Sequence, residues 1–274
     1  GSDFHGRSKP DIVLGGFEGK LYPVHPKEEI VQGMKAYSSV LDIPDEVDLA
    51  VFVIPSRAIP GAVSECVQKG IKAGIVITAG FAELGEDGEA LQQDMLERAR
   101  QGGMVLIGPN CQGIAVPGIK FFPWLPTFHP DDGVIGIASQ SGGISTELSE
   151  RLCTLGFGCS KVISAGNCAD LSWADYLDYF RQDPATKVIL LYLEGVKDGR
   201  AFFKAAKAAS LEKPVVILKS GVTDAGSKAA SSHTASMAGS HEIFDAVCRQ
   251  AGITRVTTID EAAIMAAALI DTPL

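Results

Sequence analysis

The stretch VIGIASQSGG, residues 134–143, indicates how the surrounding chain folds. It begins with small and β-branched residues, which favour a buried strand. Ser141, Gly142 and Gly143 then lead into a segment with helical periodicity. A buried strand that passes through such a turn into a helix is typical of parallel α/β architecture.

The turn SQSGG (139–143) at this helix start has two interpretations. The first N–H groups of a helix have no partner inside it and lie at the positive end of its dipole, so they can bind an anion. Alternatively, the turn is an ordinary cap, because serine is a preferred residue at that position. Two serines and two glycines among five residues keep the anion site open as a hypothesis.

Short apolar runs alternate with helical patterns over nearly the whole chain, which predicts an α/β protein of two doubly wound domains in series. The predicted strands are 21–24, 48–55, 73–80, 103–110, 134–139, 161–166, 188–195 and 214–220, with a short one near 254–257. The predicted helices are 60–70, 87–103, about 144–155, 198–210, 240–251 and a final helix. Ligands of such domains bind at the carboxyl ends of the strands.

The segment 113–133 interrupts this rhythm with four prolines and little periodicity. We place the domain junction there, which gives a first domain of residues 1–128 and a second of residues 129–274. A doubly wound domain should open with a strand, a glycine turn and a helix, whereas the chain begins GSDFHGR. We therefore expect that the first strand of the first domain either precedes residue 1 or is absent.

Composition and charge argue against several classes of protein. The 274 residues carry a formal charge of −9, whereas nucleic-acid binders need a basic face. The six cysteines are scattered without CxxC spacing, which favours neither disulfides nor a zinc site and fits a reducing compartment. The longest apolar runs fall short of the ~20 residues that span a bilayer, and no signal peptide is visible. We expect a cytoplasmic protein that binds no metal, nucleic acid or membrane.

Three charged or titratable residues follow predicted strands and are therefore expected at sheet edges. Glu194 ends VILLYLEG, His233 lies in a loop of small residues after PVVILKS, and Lys27 ends YPVHPK. A lysine at that edge suits a ligand with an extra phosphate. Each of the three has a simpler interpretation as a solvated loop residue, since charged side chains are mostly exposed.

A histidine, a carboxylate and a helix start at one sheet edge would together support phosphoryl transfer. The imidazole of His233 would be the nucleophile, and Glu194 would hold its other ring nitrogen. The helix start would bind the transferred oxyanion.

Several of these motifs, in this order, resemble those of one family. The motifs are IGPNCQG (107–113), SQSGG (139–143), YLEGVKDGR (192–200), the loop around His233 and ITRVTTIDE (253–261). Together they are similar to the nucleoside-diphosphate-forming acyl-CoA synthetases, relatives of the succinyl-CoA synthetase α subunit. The resemblance implies a CoA-binding Rossmann-like domain followed by a flavodoxin-like doubly wound domain.

The resemblance also implies roles for individual residues. The implied catalytic pair is His233, which carries the phosphoryl group, and Glu194, which orients it. The implied phosphate-binding residues are Ser141, Gly142 and Gly143, and the implied thioester-facing residues are Asn110 and Cys111. The implied CoA site comprises Ser2, Lys27, Pro55, Ile77 and Thr78. CoA carries a 3′-phosphate, which favours a cation such as Lys27 at this position. A lysine there therefore favours CoA over NAD as the ligand.

For activity, the resemblance implies that a carboxylic acid, CoA and ATP give acyl-CoA, ADP and phosphate in a reversible reaction. An ATP-grasp part would bind ATP or ADP with Mg²⁺, and we expect it as a separate β subunit or a fused domain. The resemblance further implies an oligomer. The competing hypotheses are a CoA-sensing module that has lost catalysis and a nicotinamide-dependent enzyme, and the second of these assigns no role to His233.

Two positions depart from the family's pattern. The family commonly has glycine two residues after the histidine, where this chain has Ala235, and the added Cβ could slow phosphorylation. Thr146 stands where the succinate-type enzymes have tyrosine. We therefore expect a small or medium monocarboxylate rather than succinate.

Overall fold

Two largely parallel β-sheets organise residues 19–220 and 241–271, which are the part of the chain described by this computed structural model. The strands are β1 (Ile30–Val31), β2 (Met34–Lys35), β3 (Leu49–Phe52), β4 (Ala73–Val76), β5 (Val105–Ile107), β6 (Ile114–Ala115), β7 (Asp132–Ser139), β8 (Cys159–Ser164), β9 (Val188–Leu193), β10 (Val215–Lys219) and β11 (Thr254–Val256). The α-helices are α1 (Ile59–Lys69), α2 (Glu86–Gln101), α3 (Gly142–Thr154), α4 (Trp173–Gln182), α5 (Gly199–Ser210), α6 (His241–Ala251) and α7 (Ile259–Ala268). The predicted α/β class is confirmed. None of the helices in the described ranges has the length and apolar character needed to cross a membrane.

The first sheet consists of β3, β4 and β5, which run parallel in chain order and are connected by α1 and α2. Its core includes Phe81 and Met95, which are fully buried. Helix α1 ends at Gly70, where a φ of 93° favours glycine. Helix α2 has an acidic first turn and a basic last turn, and both complement its dipole.

Residues 21–24 do not form the predicted strand. Val24 makes a single bridge to Tyr37 instead of joining β3, and the N–H of His25 donates to the carbonyl of Tyr37 at 2.9 Å. The imidazole Nδ1 of His25 then accepts from the N–H of Glu28 at 2.9 Å, which turns the chain. Lys27 therefore lies in an exposed turn rather than at the end of a strand.

The second sheet has the order β11-β10-β9-β7-β8-β6, and β6 alone among these strands runs antiparallel. The chain passes from β7 to β8 on one side and returns past β7 to β9 on the other. Helices α3 and α7 cover one face, while α4, α5 and α6 cover the other. Such a reversal of strand order opens a crevice at the carboxyl ends, here beside β7.

Helix α4 is absent from the predicted elements, although its sequence carries a clear start signal. The N–H of Ser172 donates to the carboxylate of Asp175 at 2.7 Å, and the two residues form a capping box. Trp173, Tyr176 and Phe180 then follow at helical spacing and are all buried. Polar residues between them make the apolar spacing weak, so the capping box is the clearer sequence signal for this helix.

The proline-rich segment 113–133 is attached to the second sheet. Its β6 pairs with β8 as an edge strand, and the carbonyl of Gly113 accepts from the N–H of Ser164 at 2.9 Å. Gly113 has a φ of 94°, and a Cβ there would lie 2.0 Å from the carbonyl oxygen of Pro123. The close packing of this segment therefore requires glycine at position 113.

Polar side chains join the two sheets where the loop after β8 meets the first sheet. The amide Nδ2 of Asn167 donates to Glu83 at 2.6 Å and to Gln92 at 3.1 Å. The carboxylate of Asp170 accepts from the N–H of Leu106 at 3.0 Å. Glu83 also accepts from the backbone N–H groups of its own loop. Burial raises the pKa of Glu83, but these donors outweigh burial and hold that pKa below its ordinary value.

We predict that Glu83→Gln lowers the free energy of unfolding by about 1 kcal/mol at pH 7, because one acceptor oxygen of the junction is lost. A carboxyl with a depressed pKa contributes stability above its unfolded pKa of about 4.3 and loses it as the pH falls through the folded pKa. The difference in the free energy of unfolding between wild type and variant should therefore shrink as the pH falls from 5 to 3. Urea unfolding across this range measures it, with the exposed Glu97→Gln as control. A pH-independent difference would contradict the prediction.

Candidate active site at the carboxyl ends of the strands

The start of helix α3 is held in place by its own serines. Ser139 is fully buried at the end of β7, and its hydroxyl donates to the carbonyl of Ser141 at 2.6 Å. Ser141 is the N-cap, and its hydroxyl accepts from the N–H of Ile144 at 3.4 Å. Gly142 and Gly143 form the first residues of the helix, and the space around Gly143 is open. This arrangement serves as a cap and also leaves early helix N–H groups available for an anion.

Gln112 lies against this helix start, and it was not among the predicted site residues. A Cβ on Gly142 would lie 2.5 Å from the Gln112 side chain, so the contact requires glycine there. The amide Oε1 of Gln112 accepts from the hydroxyl of Thr146 at 2.9 Å. Both residues line a groove of about 710 Å³. The position of Gln112 within IGPNCQG was the one available sequence signal.

The groove beside Gln112 and Thr146 has an acidic lining. Glu147 and Glu150 project from helix α3 along it. The cation that also lines it, Arg151, lies 2.9 Å from a carboxylate oxygen of Asp260 and pairs with it. Near Thr146, the groove therefore has more negative than positive charge.

Glu194 directly follows β9 and is half-buried, beside the turn that opens α3. The side-chain Oε1 of Gln140 accepts from the N–H of Glu194 at 3.0 Å and from the N–H of Gly195 at 3.3 Å. Gln140 itself stands inside SQSGG, yet it too was not among the predicted site residues. Glu194 and the start of α3 are thus brought together at the predicted sheet edge.

A buried thiol, Cys111, and a partly buried thiol, Cys168, lie close to this edge. Burial raises the pKa of Cys168 to about 12, while Lys197 acts in the opposite direction and Glu194 raises it further. Burial likewise raises the pKa of Cys111 to about 12, and its thiol donates to the carbonyl of Val76 at 3.3 Å. Both thiols are therefore protonated at neutral pH and are poor nucleophiles.

Asn110 links the carboxyl ends of the two sheets. Its backbone lies in the left-handed region with a φ of 58°, and its N–H donates to the carbonyl of Thr78 at 3.0 Å. Its side-chain amide donates to Asn167 at 3.3 Å, across the junction. Asn110 is therefore placed between the strand ends of the first sheet and the loop after β8.

Three of the residues predicted for the CoA site also lie at the carboxyl edge of the first sheet. Ile77 and Thr78 follow β4, and Pro55 follows β3. The hydroxyl of Thr78 donates to the carbonyl of Ile54 at 2.8 Å, which joins the two loops. Close approach of these loops requires glycine at position 80, where φ is 108° and a Cβ would lie 2.8 Å from the Ser56 hydroxyl.

The remaining predicted positions differ from these. Lys27 lies in the exposed turn outside the three-stranded sheet, and no carboxylate pairs with it in the described part of the chain. Ser2, His233 and Ala235 lie outside the described residues. The described edge therefore provides Glu194, whose backbone is anchored, and a helix start. Both lie near β10, after which the His233 loop begins.

Comparison with protein families matches both halves of the chain. Residues 132–269 match the family described as succinyl-CoA ligase like flavodoxin domain. Residues 13–117 match the family described as CoA binding domain. The two matches follow the order of the two sheets.

Individual relatives give the same result. The chain is 44% identical over 270 residues to the acetate–CoA ligase [ADP-forming] I subunit alpha of Pyrococcus furiosus, over 96% of this chain and 58% of that subunit. It is 41% identical over 267 residues to the 4-hydroxybutyrate–CoA ligase [ADP-forming] of Nitrosopumilus maritimus, over 96% of this chain and 38% of that protein. It therefore spans less than two thirds of either relative's length.

A solved structure extends the likeness to three dimensions. The dinucleotide forming acetyl-coenzyme A synthetase 1 of Ca. Korarchaeum cryptofilum, in complex with phosphate and ADP, superimposes with a TM-score of 0.88 at 37% identity. The superposition covers 94% of this chain and 56% of that one. With both family matches, it shows that this chain belongs to the ADP-forming acyl-CoA synthetases, the relatives of the succinyl-CoA synthetase α subunit.

Proposed function

We propose that this chain is the CoA-binding, phosphohistidine-carrying part of an ADP-forming acyl-CoA synthetase. The whole enzyme would convert a carboxylic acid, CoA and ATP to acyl-CoA, ADP and phosphate, reversibly. One observation carries the proposal: Glu194 is bonded through its backbone to Gln140, within the turn that opens α3. A carboxylate and an anion-binding helix start thus share the strand crevice beside β7.

The chemistry would be phosphoryl transfer from an acyl phosphate to His233. A ring nitrogen forms the new N–P bond while the bond between phosphorus and the acyl oxygen breaks and releases the carboxylate. Glu194 would accept the N–H of the other ring nitrogen, which keeps the attacking nitrogen unprotonated. N–H groups at Gly142 and Gly143 would bind the phosphoryl oxygens. In the reverse direction the same groups serve unchanged.

The first sheet would bind CoA at its carboxyl edge. The loops at Pro55 and Ile77–Thr78 fit such a ligand, because they lie at the carboxyl edge of the sheet and Gly80 lets them approach closely. Lys27 is exposed and unpaired in the described residues, so it is available to the 3′-phosphate. Ser2 belongs to the same proposed site. The domain division after residue 128 remains part of this proposal, with β6 as a strand that the first domain lends to the second sheet.

The nucleotide half of the reaction would take place on a partner. The Pyrococcus furiosus relative is named a subunit alpha, which supports a partner for that protein. For this chain we propose an ATP-grasp part, fused or separate, that binds ATP or ADP with Mg²⁺, within an oligomer. Free rather than paired cysteines in the described residues are compatible with the reducing cytoplasm.

The acyl group would be a small or medium monocarboxylate. The acidic lining at Glu147 and Glu150 would repel a second carboxylate, and Arg151 is already paired with Asp260. Relatives named for acetate and for 4-hydroxybutyrate are both compatible with this range.

We predict that acetyl-CoA with labelled phosphate labels this chain, and that the label is acid-labile and base-stable. His233→Asn should abolish the label, because the nucleophile is lost, while His129→Asn, at an exposed site, should retain it. Glu194→Gln should reduce the labelling rate at least about 10-fold, since an amide can also donate to the far ring nitrogen and then no longer keeps the attacking nitrogen unprotonated. Rapid-quench labelling measures the amount of label and its rate of formation.

An undiminished label in His233→Asn would place the carrier elsewhere. An unlabelled wild type that still binds CoA would favour the sensing module, with Ala235 as the suspected cause.

We predict that calorimetry will show CoA binding more tightly than dephospho-CoA, because the 3′-phosphate is attracted to Lys27. Lys27→Ala should narrow that difference in affinity, whereas Lys72→Ala, at the amino edge of the three-stranded sheet, should leave it unchanged. Equal affinities of the wild type for CoA and dephospho-CoA would contradict the assignment of Lys27 to the CoA site. Tighter binding of NAD than of CoA would contradict the proposed CoA site as a whole.

We predict that acetate or a medium monocarboxylate gives a higher kcat/KM than succinate when the nucleotide-binding partner is supplied. A coupled thioester assay across a series of acids measures this. Glu147→Gln should improve succinate relative to acetate, because one repelling charge is removed, while Glu97→Gln on the distant α2 should change neither. Succinate as the best substrate of the wild type would show the assignment to be wrong.

A further inference from the structure

We infer that Gln140 is a positioning residue for Glu194, one that fixes the carboxylate-bearing loop to the turn that opens α3. The inference rests on the proposed function, because it assigns Gln140 to the phosphoryl-transfer site. Its effect would come through Glu194 rather than through contact with the transferred group.

The contacts of Gln140 all reach the end of the neighbouring strand β9. Its side-chain Oε1 accepts from the N–H groups of Glu194 and Gly195, at 3.0 and 3.3 Å. Its own N–H donates to the carbonyl of Tyr192 at 3.1 Å and so continues the pairing of β7 with β9. The backbone hydrogen bonds between β7 and β9 thus end at Tyr192. The Gln140 side chain then accepts from the N–H groups of the two residues that follow Leu193.

Two other side chains hold the rest of the same loop. The indole N–H of Trp173 donates to the carbonyl of Gly195 at 2.9 Å, and Trp173 is buried. The ammonium group of Lys197 donates to the carbonyl of Cys168 at 3.2 Å. Residues 194–197 are therefore fixed from three sides. Among these three anchors, Gln140 is the one that belongs to the α3 turn.

This connection sets the spacing between the carboxylate and the helix start. A phosphorylated imidazole must bond to Glu194 through one nitrogen while its phosphoryl oxygens reach the helix N–H groups, so the two must keep a fixed separation. Misplacement of reacting groups by about 1 Å can reduce a rate by about 10²-fold. Removal of the Gln140 acceptor would release the N–H groups of Glu194 and Gly195 and let this separation vary.

The decisive comparison is between Gln140→Met, which keeps the size but removes the acceptor, and Gln140→Glu, which retains an acceptor oxygen. We expect Gln140→Met to raise amide hydrogen exchange at Glu194 and Gly195 and to lower the rate of His233 labelling about 10- to 100-fold. Gln140→Glu should keep both amides protected and label at least about three times faster than Gln140→Met, despite its added charge. The exposed Gln182→Ala is the matched control and should behave as wild type.

CoA affinity and the thermal midpoint establish that each variant is folded, and Gln140→Asn, with a shorter reach, replaces Gln140→Met if that variant does not fold. A Gln140→Met protein that is labelled at a rate within about twofold of wild type would overturn this inference but leave the proposed function standing. So would a Gln140→Glu protein with both amides protected that labels as slowly as Gln140→Met. An unlabelled wild type would instead overturn the proposed function, and this inference with it.

Discussion

The two sheets meet where main-chain atoms pass one another without room for a side chain. A Cβ on Gly166, where φ is 56°, would lie 2.2 Å from the carbonyl oxygen of Pro109. This close approach lets the N–H of Asn167 donate to that same oxygen at 2.9 Å. It also brings the Asn167 side chain to Glu83 and Asn110. The loop proposed to face the thioester and the edge proposed for phosphoryl transfer are adjacent because a glycine stands at position 166.

Two thiols near the junction are uncharged at neutral pH. Cys111 is buried and Cys168 is partly buried there, and loss of solvent raises the pKa of each thiol to about 12. Neutral thiols would neither repel a phosphoryl group at the proposed site nor compete for it as nucleophiles. The described edge thus supplies a carboxylate and N–H donors, and the proposed nucleophile comes from the loop after β10.

The sequence predicted the architecture better than the connections within the site. Burial gives apolar periodicity, which located β9 and β10 and the helix start after Ser139. It could not show where a ladder ends: the predicted strand 188–195 stops at Leu193, because the next two N–H groups bond to Gln140 instead of to a neighbouring strand. The roles of Gln112 and Gln140 were missed for the same reason, since an amide's partners lie far away in sequence. At residues 21–24 the predicted strand is replaced by a single bridge between Val24 and Tyr37.

Charge alone does not explain how such a chain would handle anions. Phosphate, carboxylic acids and CoA are all negative, whereas the chain carries a net charge of −9 and the groove at Glu147 and Glu150 is acidic. Long-range attraction is therefore weak, and the favourable field at the start of α3 falls off within the first turn of the helix. An anion gains this stabilisation when it lies directly against Gly142 and Gly143. The site therefore depends on the placement of a few groups, and the buried Ser139 and the anchoring bonds of Gln140 maintain that placement.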